Sequence, residues 1–100
     1  MNQEILNFIG LINRAGALTT GTDLVLKGVR NGKVKLVLID DLISESSLKK
    51  ITDKCKFYHI EYIKLAPGAN LGLAIGSHNR KVVGITQQNF VKALKTKLDK

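Results

Sequence analysis

Tryptophan is absent, proline and cysteine occur once each, and the aromatic residues are three Phe and two Tyr. So few rings argue against a stacking platform for single-stranded bases, which needs aromatic side chains in series. The lone Cys55 leaves no internal disulfide, and no set of Cys and His has zinc spacing. Both points fit a reducing interior. No apolar run approaches the length of a membrane span. Met1-Asn2-Gln3-Glu4 lacks the positive start and apolar stretch of a signal peptide. The expectation from these absences is a cytoplasmic protein with no membrane partner. Acids are scarce too: eight Asp and Glu stand against 16 Lys and Arg, a formal charge of +8 on 100 residues. That excess favours a polyanionic partner. Hydrophobic residues at 44% and charged residues at 24% describe one globular domain over residues 1–100, not a disordered chain.

Taken in order, Asn2 can cap a first helix with Glu4 in its first turn, where the dipole favours an acid. Ile5, Phe8, Ile9 and Ile12 fall at i, i+3, i+4, i+7 and form its apolar stripe, and Gly16 ends it. Ala17-Leu18-Thr19 reads as a brief strand. Thr20 or Gly21 starts a second helix with Val25, Leu26 and Val29 inside, Lys27 and Arg30 outside, and Asn31-Gly32 at its end. The near-continuous Leu36–Ile39 run predicts a central strand covered on both faces, with Asp40-Asp41 as a solvated exit. Ser44 caps a third helix whose stripe is Leu48, Ile51, Thr52 and Cys55. Lys49, Lys50, Asp53, Lys54 and Lys56 form its outer face, which reads as solvated, with contact to a polyanion as the alternative. Within that stripe Cys55 reads as a small core residue. After a turn at His59, Ile60–Leu65 reads as a second main strand, broken by Pro67-Gly68. Asn70–Gly76 is a short helix whose glycines match neither a P-loop nor a dinucleotide spacing. Ser77-His78-Asn79-Arg80-Lys81 is a basic loop before the strand Val82–Ile85. Thr86 then caps a last helix with Phe90, Val91, Leu94 and Leu98 inside and Lys92, Lys95, Lys97 and Lys100 outside. Alternating elements imply an α/β fold with helices on both faces of a mostly parallel, or mixed, sheet.

Gly21-Thr22-Asp23-Leu24-Val25-Leu26-Lys27 is the stretch with chemical potential. A helix start presents unpaired N–H groups and the positive end of a macrodipole, which suits phosphate. The same residues also suit an ordinary helix N-terminus. Nothing places a nucleophile beside His78, a ligand set beside Asp40-Asp41, or a base beside Cys55. The chain is therefore read as a non-enzyme, with no metal, cofactor or small-molecule substrate expected.

Gly21–Lys27 resembles the signature Gly-[small]-Asn-Glu-x-x-Lys of the ribosomal protein "L-seven-Ae" family of kink-turn RNA-binding proteins. The resemblance extends through Lys33–Ile39, Lys49–Cys55 and Leu71–Gly76 to the final basic loop and strand. It is greatest to the short bacterial ribosomal-like members. It implies a three-layer α/β/α sandwich with a central mixed sheet of about four strands. It also implies a monomer that binds structured RNA, either ribosomal or kink-turn-containing. On that resemblance Thr20, Gly21, Thr22, Asp23, Leu24, Lys27 and Arg30 form one half of an RNA face. Arg80, Lys81, Val82 and Val83 form the other, as a basic loop with aliphatic contacts to extruded bases. The amides of Gly21 and Thr22 would approach the RNA, and Lys27 a guanine edge or phosphate. Asp23 stands where the family has Asn, Leu24 where it has Glu, and Lys81 where proline is common. An aspartate offers only acceptors, and a leucine no hydrogen bond. Each lost base contact would remove roughly 1–3 kcal/mol of discrimination. These losses leave room for an alternative reading, a protein-interaction module on the same fold.

Overall fold

The computed structural model describes residues 3–77 and 80–98. Asn2, His78, Asn79 and Lys100, named above as cap, loop and helix residues, lie outside the described residues. The elements in order are α1 (Gln3–Arg14), β1 (Leu18–Thr20), α2 (Thr22–Arg30), β2 (Leu36–Ile39), α3 (Glu45–Tyr58), β3 (Glu61–Lys64), α4 (Leu71–Ile75), β4 (Val82–Ile85) and α5 (Gln88–Leu98). The strands form one four-stranded sheet in the order β1-β4-β2-β3.

Alternation along the strands divides the core into two layers. Leu36 and Leu38 of β2 and Val83 and Ile85 of β4 face one side, packed with Ile5, Ile9, Ile12, Leu71, Val91 and Leu94 of α1, α4 and α5. Val37 and Ile39 of β2 and Val82 of β4 face the other, against Val25, Val29, Ile51 and Cys55 of α2 and α3. This is the three-layer α/β/α sandwich. The helical stripes follow from sequence period: Ile9, Ile12 and Ile51 are fully buried, each on a 3.6-residue repeat.

The sheet is mixed, and mostly antiparallel where a mostly parallel one was the first expectation. Only β2 and β3 pair in parallel, through the α3 crossover. β4 is antiparallel to both β2 and β1. Between β3 and β4 the only described helix is the five-residue α4, and the chain re-enters beside the end of β2, Val82 opposite Ile39. As a result β4 lies between β1 and β2, which share one direction. The ends of β1 and β2, the starts of α2 and α3 and the start of β4 all meet at one edge.

Two glycines let α2 lie close on the sheet. A Cβ on Gly28 would sit 2.5 Å from Val34 Cγ2, and one on Gly84 would sit 2.7 Å from the same atom. The Val34 side chain, fully buried, fills the space both leave. Other expectations shift in detail. β3 is an edge strand with exposed Glu61 and Lys64. Thr86 does not cap α5; its hydroxyl donates to the Ala17 carbonyl at 3.2 Å and ties the end of β4 to the start of β1. Ser44 does cap α3, its Oγ accepting from Ser47 N at 3.3 Å.

Candidate functional site

At the shared edge an open groove of about 660 Å³ is lined by Thr20, Gly21, Thr22, Asp23 and Leu24 on one side. Leu42, Ile43, Ser44 and Ser47 line the other, and Arg80 and Lys81 the floor between. Seven residues singled out from sequence are thus brought together, from segments 56 or more positions apart (Arg80 against Leu24 and earlier). The meeting point follows from topology: where parallel strands end and their helices begin, ligand crevices form outside the carboxyl ends of the strands.

Gly21 is the N-cap of α2, with φ 91° and ψ 150°. That region belongs essentially to glycine. Its conformation sets the angle at which the chain leaves β1 for α2. A Cβ there would lie 2.9 Å from Arg80 Nη1 and 3.4 Å from Arg80 Cζ, so the guanidinium packs directly against the helix start. The entry to β4 is held from both sides: Gly21 N donates to Val82 O at 3.0 Å, and Asp40 N to Lys81 O at 2.8 Å. One expected contact is therefore corrected. The Gly21 amide is engaged by the sheet and does not face the groove. The first bond of α2 runs from Val25 N to Gly21 O, and no side chain caps the helix. The open donors are thus those of Thr22, Asp23 and Leu24.

The electrostatics favour an anion. A guanidinium at a helix N-terminus faces the positive end of the macrodipole, so each raises the potential of the other. Asp23, in the first turn, offsets part of this. Among the described residues the ion pairs are Lys95 with Glu61, and Lys97 with Glu4 at 3.0 Å. Both lie elsewhere, so Lys27, Arg30, Arg80 and Lys81 keep their charge uncompensated by ion pairs. Lys27 and Arg30 are exposed but do not line the groove; they continue the outer stripe of α2 that begins at Asp23.

Val82 and Val83 are a second correction. Both have zero exposure and sit in opposite core layers. They are strand residues already, and strand alternation sends one to each layer, so neither offers a surface. The exposed apolar side chains at the groove are Leu24, 58% exposed, and Leu42, 72% exposed. Leu42, Ile43, Ser44 and Ser47 went unnoticed in the sequence as site residues, although Ser44 reads plainly as a cap. The signal was available: a second helix starting directly after a second parallel strand must begin at the same edge as the first.

Asp40 is the third correction. It is not a solvated strand end but 1% exposed. Its Oδ1 accepts from Leu42 N at 2.9 Å and its Oδ2 from Leu71 N at 2.9 Å. With the Asp40 amide on Lys81 O, one residue ties together the β2–α3 turn, the start of α4 and the floor of the groove. Asp41 is half-buried. No group of His, Cys, Asp or Glu among the described residues is arranged to hold a metal ion. Burial pushes the Cys55 thiol from 9.0 up to about 11, which suits a packing residue and not a nucleophile. No helix among the described residues is long and apolar enough to cross a membrane.

Comparison with known proteins adds the lineage. Residues 3–95 match the model of the ribosomal protein L7Ae/L30e/S12e/Gadd45 family. The chain is 44% identical over 96 residues to the RNA-binding protein YlxQ of Bacillus subtilis, covering 96% of each. It is 39% identical over 93 residues to the RNA-binding protein YlxQ of Enterococcus faecium, covering 93% of this chain and 89% of that one. Among solved structures, a Bacillus halodurans protein of unknown function superposes with a TM-score of 0.88 at 35% identity, over 99% of this chain and 100% of that one. A Giardia lamblia 15.5kD RNA binding protein shares the fold, with a TM-score of 0.74 at 22% identity over 99% and 91% of the two chains.

Proposed function

The chain belongs to the ribosomal protein L7Ae/L30e/S12e/Gadd45 family, and from that premise we propose that it is a non-enzymatic protein that binds structured RNA in the groove between α2 and α3. The observation that carries this reading is the Arg80 guanidinium packed on Gly21, beside a helix start with open amides. A guanidinium and a helix start side by side form a phosphate seat. The relatives named for RNA binding support the same partner.

In this reading affinity comes mainly from phosphates met by Arg80, Lys81, Lys27 and Arg30 and by the amides of Thr22–Leu24. Leu24 and Leu42 flank the groove and give an apolar bed for a base swung out of its helix. Duplex RNA hides its base edges, so such a groove selects RNA that is kinked or opened. A kink-turn, in ribosomal RNA or another transcript, fits this description and is the target proposed here, met by a cytoplasmic monomer. Asp23 and Leu24 change the terms. Asp23 accepts hydrogen bonds from base amino groups but repels nearby phosphate. Leu24 supplies contact area without direction. Readout by shape should outweigh readout by hydrogen bonds.

The test is a gel-shift salt series on a kink-turn RNA and on a plain duplex. The expected result is tighter binding to the kink-turn, with affinity falling as salt rises. Arg80→Ala should weaken binding and lower the salt slope by about 1. Equal, weak binding to both RNAs would remove the kink-turn reading. No binding to either would favour a protein-interaction module instead.

A further inference from the structure

Beyond the first groove, the same two helices enclose a second. It measures about 470 Å³ and is lined by Leu26 of α2 and by Lys50, Asp53, Lys54 and Phe57 of α3. The two grooves lie end to end. On α3, Ser47 lines the first, and Lys50, Lys54 and Phe57 follow it at i+3, i+7 and i+10 on one stripe. On α2, Thr22 and Asp23 line the first groove, and Leu26 and then Arg30 follow at helical spacing. From Ser47 to Phe57 the stripe runs about 15 Å at 1.5 Å per residue.

Phe57 is 72% exposed. Its ring meets that of Tyr58 edge-on, with centroids 4.9 Å apart and planes at 77°. The phenyl group stands beside open space. A single exposed phenylalanine is ordinary; its surroundings distinguish this one. Lys50 and Lys54 line the same groove with no ion pair among the described residues, against the single carboxylate of Asp53. Apolar lining is limited to Leu26, Phe57 and the lysine stems. That is too little for a helical peptide partner, but it is what one base needs.

We propose that RNA seated in the first groove continues into the second, where an unpaired nucleotide stacks on Phe57 and its flanking phosphates meet Lys50 and Lys54. The inference rests on the RNA reading of the first groove. It requires an unpaired nucleotide because the face of a paired base is covered by its neighbours, whereas a free base offers a π-face to the ring. The scarcity of aromatics is no obstacle: one ring takes one base, where a platform would need several.

The experiment measures fluorescence anisotropy with the full chain and two RNAs. One is a blunt kink-turn RNA, and the other is the same RNA with an unpaired oligoadenosine tail, tried on each strand. Wild-type protein should bind one tailed RNA roughly tenfold tighter than the blunt one. Phe57→Ala should remove most of that advantage and leave blunt-RNA affinity unchanged, while Phe57→Tyr preserves it. Because the side chain is exposed, Phe57→Ala should melt as wild type does. Arg80→Ala should weaken both RNAs alike. Equal binding of tailed and blunt RNA by wild type, or a tail advantage that Phe57→Ala leaves undiminished, overturns the inference and leaves the first groove standing. No binding of either RNA overturns both. Self-association in sedimentation that Phe57→Ala removes would assign the surface to a second copy and overturn it as well.

Discussion

Replacing Gly21 by alanine separates two roles that the structure joins in one residue. The backbone there has φ 91° and ψ 150°, a region that an L side chain occupies at a cost of about 1–3 kcal/mol. Against this, alanine restricts the unfolded chain and returns about 0.4–1 kcal/mol. The net expectation is a loss of about 1–2 kcal/mol. For a domain of this size that lowers Tm by roughly 5–15 °C. The added Cβ would also lie 2.9 Å from Arg80 Nη1. That atom is the far end of a flexible side chain, so it can swing away with little effect on stability. Its loss should appear in RNA affinity instead. The assay is a double-mutant cycle on Gly21→Ala and Arg80→Ala, read by thermal melting and by kink-turn RNA binding. In wild type, Arg80→Ala should weaken binding about tenfold, as expected for a charge-assisted contact. In the Gly21→Ala background the same change should have much less effect, because the guanidinium has already left its seat. An unchanged or raised Tm for Gly21→Ala would refute the backbone argument. Strict additivity of the two changes in RNA affinity would refute the coupling.

Three further outcomes follow from the packing. Asp40→Ala leaves the amides of Leu42 and Leu71 without their acceptors. Chemical denaturation should show a loss of about 3 kcal/mol or more, and hydrogen exchange at those two amides should accelerate. Gly28→Ala drives a methyl group into Val34 Cγ2, 2.5 Å away; overpacking should remove about 1–3 kcal/mol, and Val34→Ala in that background should be milder than in wild type. Cys55 is protonated in the fold up to about 11 but ionises near 9.0 when exposed, so its contribution is complete below pH 9 and declines as pH rises from 9 to 11. The decline approaches about 2 kcal/mol, and Cys55→Ala should lack that part of the alkaline slope in denaturant melts.

Much of the fold was legible locally. The stripe of α1, the all-buried β2, the Ser44 cap and the glycine at the start of α2 are short-range signals, each decided by residues within one or two turns. The family resemblance and the excess of cations likewise point to one candidate surface from sequence alone. What went astray was decided at longer range. Asp40 reads as a polar strand exit until the start of α4 closes over it. Val82 and Val83 read as loop contacts until β4 is placed between two other strands. Phe57 sits beside four lysines and one aspartate in a run that looks like a solvated face, and nothing local says that its ring stands in the open.

By itself, then, the chain determined which elements form, which helix faces turn inward and that one helix start carries a glycine. These follow from period, capping and backbone sterics, which act between near neighbours. Tertiary structure alone decided that β4 enters antiparallel between β1 and β2, because pairing between strands distant in sequence is encoded in no local period or cap. That single topological fact sets Arg80 against Gly21, engages the Gly21 amide, buries Val82 and Val83 and opens the groove between two helix starts.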